Sequence, residues 1–204
     1  LLAGAYATLA IPLWALQYAG WLPGLRAPVW HAHEMLFGTT LAIIVGFLFT
    51  AGRNWSGQPT PTGAALMALA AVWVAGRVLV YTPWPLLSLL VNVAFPLLAA
   101  LALFRALRAG NNRRNYFFAA VLAGMGAAQG LLHAALAEWV DVAPGRALQL
   151  GLDAVIFVMA VMGGRVIPMF SNNGAPGTGA RWRRSALSAS PDVARPRPPA
   201  RSTR

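Results

Sequence analysis

Charged residues are so sparse along this chain that the apolar runs between them define its elements. These runs fall at roughly 1–19, 29–51, 62–81, 86–104, 116–137 and 148–170, each close to the ~20 residues that cross about 30 Å of hydrocarbon as a helix. The polar text lies between them, in "RNWSGQPTPT", the tight "TPWP", "RALRAGNNRRN" and "AEWVDVAPGR". The pattern predicts an all-α, polytopic transmembrane bundle of about six spans. Pro12 and Pro96 fall inside the first and fourth runs, where a membrane helix tolerates proline if its neighbours satisfy the freed carbonyl.

Loop charge orients the bundle. The most basic connection carries Arg105, Arg108, Arg113 and Arg114, and the positive-inside rule places it in the cytoplasm. Alternation then puts the start of the chain and the Arg53 loop on the same side. The loop with Glu138 and Asp141 falls outside. Trp21, Trp30, Trp84 and Trp139 lie near the outer boundary, as an aromatic belt does.

Composition agrees: 58% of residues are hydrophobic and 10% charged, against about 25% charged in soluble domains. The formal charge of +11 misleads. Seven of the arginines follow Gly174, and the remaining nine sit mostly at run ends. They give no basic face for nucleic acid. The absence of cysteine excludes disulfides, thiolate metal sites and iron–sulfur clusters. The chain begins at Leu1, already inside an apolar run, and reads as a fragment. Residues 1–173 form the transmembrane domain. From 174 to 204 the text turns to Arg, Pro, Ser, Ala and Gly, the composition of a disordered cytoplasmic tail or of a GC-rich gene read out of frame.

Three histidines carry the candidate chemistry. His31 and His33 open the second span, and His133 lies about one turn from the outer end of the fifth, so all three share a depth near the outer face. Helical spacing groups His31 with Glu34, Met35 and Gly38 and sends His33 toward the side of Phe37. One helix therefore cannot aim both histidines at one metal. In the fifth span Gly126, Gln129, Gly130 and His133 form a stripe whose GxxxG permits close helix contact, which turns His133 toward the bundle. Neutral imidazole is the commonest protein ligand for haem iron, copper and zinc. Two histidines from two helices can hold a haem between them, with Glu34 orienting an imidazole through its second nitrogen. The competing reading is a set of interfacial histidines that only hydrogen-bond.

Other polar residues lie within spans, where ionisable groups are functional candidates by default. Arg77 has Trp73 and Tyr81 a turn to either side and can snorkel outward. Asn92 is placed to hydrogen-bond across helices. Asp153 can pair with Arg77 or Arg146. Arg165, with Gly163 and Gly164 before it and Pro168 after, suggests a locally irregular helix end. No P-loop, dinucleotide fingerprint, GxSxG or HExxH is present.

"WHAHEMLFG", "NWSG", "WVAGR" and "GGRVIPMFSNN", in that order over about 30 to 173, make the chain resemble the NnrS family. The family consists of bacterial inner-membrane proteins linked to the nitric oxide response and described as containing haem and copper. The resemblance implies both cofactors here, with His31, His33 and His133 as the candidate ligands. It carries over His31, His33, Glu34, Asn54, Trp55, Arg77, Arg165, Pro168, Asn172 and Asn173 as matching positions. It also implies that the chain is the N-terminal half of a protein with about twice as many spans. The other reading is half of a transporter or channel, whose polar residues would line a path at several depths.

Overall fold

The computed structural model describes residues 2–21 and 27–174. Among them there is no strand, and seven helices follow one another: α1 (Leu2–Tyr18), α2 (Ala27–His33), α3 (Leu41–Ser56), α4 (Gly63–Leu79), α5 (Pro85–Ala109), α6 (Tyr116–Leu136) and α7 (Pro144–Gly174). A π-helical segment, Glu34–Thr40, joins α2 to α3 without a break. The six apolar runs thus appear as six helical rods. Four rods are long and apolar enough to cross a membrane, Pro28–Ser56, Pro85–Ala109, Arg113–Leu136 and Pro144–Ile167. α1 and α4 have 17 residues each, the short end of the spanning range. Helix is the form these sequences must take in lipid, because it satisfies every backbone N–H and C=O within the segment.

The chain divides into two compact units, residues 1–159 and 160–204, and the features below belong to the first unless stated. Of the segment 174–204, expected as a disordered or out-of-frame tail, Gly174 still belongs to α7 and the rest lies outside the described residues.

Turn chemistry closes the rods where polar text begins. Gly57 ends α3 with φ 66°, its N–H donating to Arg53 O, a left-handed closure that glycine adopts without strain. Pro85 opens α5 at its first position, where its missing N–H costs nothing. At one end of the bundle Asn112 Nδ2 donates to Trp55 O at 2.8 Å, and Trp55 stacks on Phe118 with ring centroids 5.2 Å apart. This gathers the end of α3 and the start of α6 on the side assigned to the cytoplasm. At the other end, residues from α2, α4, α5, α6 and α7 wall a common cavity.

α5 and α6 make the most extensive helix contact. The glycine stripe explains it: a Cβ on Gly126 would meet Pro96 Cγ at 3.1 Å, and one on Gly130 would meet Val93 Cγ2 at 3.1 Å. Trp21, Trp84 and Trp139 are exposed, as a belt requires, but Trp30 is buried and packs against Tyr81. α7 runs helical through Arg165 and Pro168 to Gly174, so the irregular helix end expected there is absent.

Candidate functional site

Polar residues from α1, α2, α4, α5 and α6 meet Glu34 in one connected cluster toward the end of the bundle opposite Trp55 and Asn112. Its centre is Glu34, fully buried at the start of the π-helical segment. Glu34 Oε1 receives His33 Nδ1 at 2.8 Å. Glu34 Oε2 receives Arg77 Nη1 from α4 at 2.9 Å and the Tyr6 hydroxyl from α1 at 2.5 Å. Arg77, 6% exposed, also donates through Nη2 to Asn92 Oδ1 on α5. Gln129 Nε2 on α6 donates to the same oxygen at 3.0 Å. A buried carboxylate and a buried guanidinium thus neutralise each other, with His33 and Tyr6 donating to the carboxylate and Asn92 accepting from the guanidinium, as burial of charge demands.

The π-helical segment builds this arrangement. Its i→i+5 spacing releases carbonyls from the regular ladder, and Gly38 O accepts the Trp73 indole N–H at 3.1 Å. Gly38 also leaves the space the ion pair fills: a Cβ there would lie 2.7 Å from both Arg77 Nη1 and Glu34 Oε2. Gly76 does the same for Asn92, whose Oδ1 would lie 3.0 Å from an added Cβ.

Hydrogen-bond polarity propagates outward from the ion pair. Arg77 is a donor only, so it fixes the oxygen of Asn92. Asn92 Nδ2 then donates to Ser88 O at 2.9 Å and Gly76 O at 3.2 Å, and its oxygen orients the Gln129 amide. The Glu34 carboxylate accepts only, so the His33 proton sits on Nδ1 and the lone pair on Nε2. That nitrogen faces His133 Nε2 at 3.2 Å and Gln129 Nε2 at 3.3 Å. The two imidazoles stand edge to face, with ring centroids 5.0 Å apart. Both line the cavity at this end of the bundle, of about 380 Å³, together with Trp30, Thr82, Ser88 and Glu138 among others.

A pair of imidazole nitrogens at this spacing suits one ion. Two nitrogens bound tetrahedrally at ~2.0 Å lie about 3.3 Å apart, and two on opposite sides of a metal about 4 Å apart. The pair therefore fits neighbouring positions on a single ion and not the two faces of a porphyrin. Among the described residues no group of three or more His, Cys, Asp or Glu forms a metal set, so further ligands to such an ion would be water or exogenous.

The structure sorts the residues expected from sequence. His33, Glu34, Arg77 and His133 come together. His31 does not join them: its ring packs tilted against Trp14 of α1, with centroids 4.5 Å apart, and its buried Nδ1 has no partner. His33 lies against Phe37 as the spacing predicts, with ring centroids 5.8 Å apart, but the Glu34 carboxylate bonds the adjacent His33 and not His31. Arg77 does not snorkel, since Glu34 and Asn92 hold its guanidinium inside. Asp153 pairs with neither Arg77 nor Arg146. It accepts from Gln149 Nε2 at 2.7 Å on the exposed face of α7. Asn54, exposed, and Trp55 lie 20 or more residues from His33 along a continuous rod, roughly 30 Å away. Arg165 is half-buried in the second unit. Asn172 and Asn173 are helical, and the placement of their side chains is not described. Sequence reasoning missed Tyr6 and Ser88. The spacing of Ser88 and Asn92, one helical turn, was the signal available for the latter.

Over residues 1–193 the chain matches the family model described as NnrS protein. Comparison with curated proteins and with solved structures finds no match.

Proposed function

The chain belongs to the NnrS family, and on that premise we propose that it is a haem- and copper-binding protein of the bacterial inner membrane that acts in the nitric oxide stress response. One observation carries the copper assignment: His33 Nε2 and His133 Nε2 face each other at 3.2 Å, with Glu34 behind His33 at 2.8 Å. This is the carboxylate–histidine arrangement that orients a ligand and raises its basicity. Imidazole is a fitting donor for copper.

Copper or haem iron, when bound, supplies a centre that binds nitric oxide directly. The chain's own part is to fix the tautomer of His33, to hold both imidazoles through packed helices, and to keep a cavity open above them. For haem, His31 is the candidate ligand, because it stands apart from the pair on the α1 side and offers a single imidazole. The second reading, a transport path, is disfavoured by the clustering. Tyr6, Glu34, Arg77, Asn92 and Gln129 form one hydrogen-bonded knot and not a string at several depths, and Asn92 belongs to the depth of the histidines.

The test is metal analysis with optical and electron paramagnetic resonance spectra on the detergent-purified chain. We expect about one copper per chain, lost in His33→Ala and in His133→Ala and retained in His31→Ala. We expect a Soret band that His31→Ala removes. Copper content unchanged in both His33→Ala and His133→Ala would sink the assignment.

A further inference from the structure

Glu138 occupies a position that local physics disfavours twice. α6 closes with Ala137 N–H donating to His133 O at 3.0 Å, Glu138 N–H to Ala135 O at 3.2 Å and Trp139 N–H to Ala134 O at 2.9 Å. The bond from Trp139 back across the last turn is the Schellman closure, which needs a left-handed residue at its centre. That residue is Glu138, with φ 60°. Elsewhere glycine takes this role, as at Gly57 after α3 and Gly20 after α1, and Asn111 after α5 is the amino acid next best suited to it. A glutamate has a Cβ that the left-handed region resists. Its carboxylate also sits at the negative end of a helix dipole, where anions are unfavourable. Glycine at 138 would relieve both costs.

What glutamate adds there is charge beside the cavity. Glu138 lines the same cavity as His33 and His133 and, among the described residues of the wall, is the only one with a formal charge. α4 and α6 end at this cavity while α5 and α7 begin there, so their terminal partial charges oppose one another. The carboxylate is then the one formal charge on the described wall and biases the cavity's field negative. The remaining wall is largely apolar, with Val29, Trp30 and Leu79 on one side. Besides Glu138 and the two imidazoles, the wall side chains that could ligate a cation are the hydroxyls of Thr82 and Ser88.

We propose that Glu138 is the capture group for the cation that the His33–His133 pair binds, and that the cavity is its loading route. This rests on the reading of the pair as metal ligands. It assigns Glu138 a role in delivery and none in the final coordination.

The experiment is stopped-flow loading of the full chain in detergent with Cu(II), followed by quenching of tryptophan fluorescence, at low and high salt. Wild type, Glu138→Gly, Glu138→Asp and the double variant His33→Ala/His133→Ala are compared. Glu138→Gly is the informative change, because it removes the carboxylate while easing the helix closure and so does not fail by misfolding. We expect its thermal midpoint to equal or exceed that of wild type. We expect its loading rate at low salt to fall by about tenfold, the scale of electrostatic steering, and to converge with wild type near 0.5 M salt, where screening is short-ranged. The final quench should be unchanged, and Glu138→Asp should load faster than Glu138→Gly. Equal rates and equal salt dependence in wild type and Glu138→Gly would overturn the proposal while leaving the histidine pair standing. Quenching that persists in the double histidine variant, or none in wild type, would remove the pair as the destination and the proposal with it.

Discussion

Each residue of the cluster has its orientation dictated by a neighbour whose chemistry allows only one. Arg77 can only donate and ionised Glu34 only accept, so these two set the amide of Asn92, the amide of Gln129 and the tautomer of His33. Removing one charge is therefore costlier than removing both. Arg77→Met leaves Glu34 buried and unbalanced and should destabilise the chain by about 3–5 kcal/mol, whereas Arg77→Met with Glu34→Leu should recover most of that loss. Thermal unfolding in detergent reads both. Glu34→Gln keeps the shape but loses the anion behind His33, and should weaken copper binding about 10–100-fold, measured by competition with a chelator of known affinity. Of this knot the sequence showed the components and not the wiring. Glu34 and Arg77 were visible as rare charges within apolar runs, but 43 residues separate them, and nothing local says which arginine a buried carboxylate will meet. Tyr6 carried no signal, since a lone tyrosine in an apolar run is common.

Elements were far more legible, because in lipid the backbone itself enforces helix wherever a run is apolar and long enough. The expected start of the fifth span at 116 coincides with that of α6, and its expected end lies one residue from the true one. The stripe of Gly126, Gln129, Gly130 and His133 turns inward as its small residues require. That contact is testable at the level of the helix pair: Gly126→Val must displace Pro96, whose Cγ lies only 3.1 Å from where the new Cβ would stand. Overpacking of this kind costs about 1–3 kcal/mol, seen as a lower thermal midpoint, while Gly124→Val, with nothing within 4 Å of its Cβ position, should be neutral. The π-helical segment from Glu34 to Thr40 was the element the sequence concealed. It carries contacts to other helices, Trp73 on Gly38 O and Arg77 on Glu34, and although His33 lies against Phe37 as the 3.6-residue period predicts, the period did not show that Glu34 bonds the adjacent His33 and not His31.

For the whole molecule, two lines of reasoning converge on one topology. Charge assigns the Arg105–Arg114 turn to the cytoplasm. Geometry independently gathers the ends into two sets, with Trp55, Asn112 and Phe118 at one end and His33, Thr82, Pro85, His133 and Pro144 at the other. On this topology the cavity lined by His33 and His133 opens outward, and a cation or a neutral gas reaches the histidines without crossing the bundle. The chain contains no cysteine, so a single introduced thiol reports its own side without background. Asp141→Cys, in the loop after α6, should react in intact cells with a maleimide that cannot cross the membrane. Asn111→Cys, in the turn after α5, should react only after permeabilisation. The reverse pattern would invert the bundle and open the cavity to the cytoplasm. Equal labelling of both in intact cells would mean that α6 does not cross the membrane, and the six-span topology would fall with it.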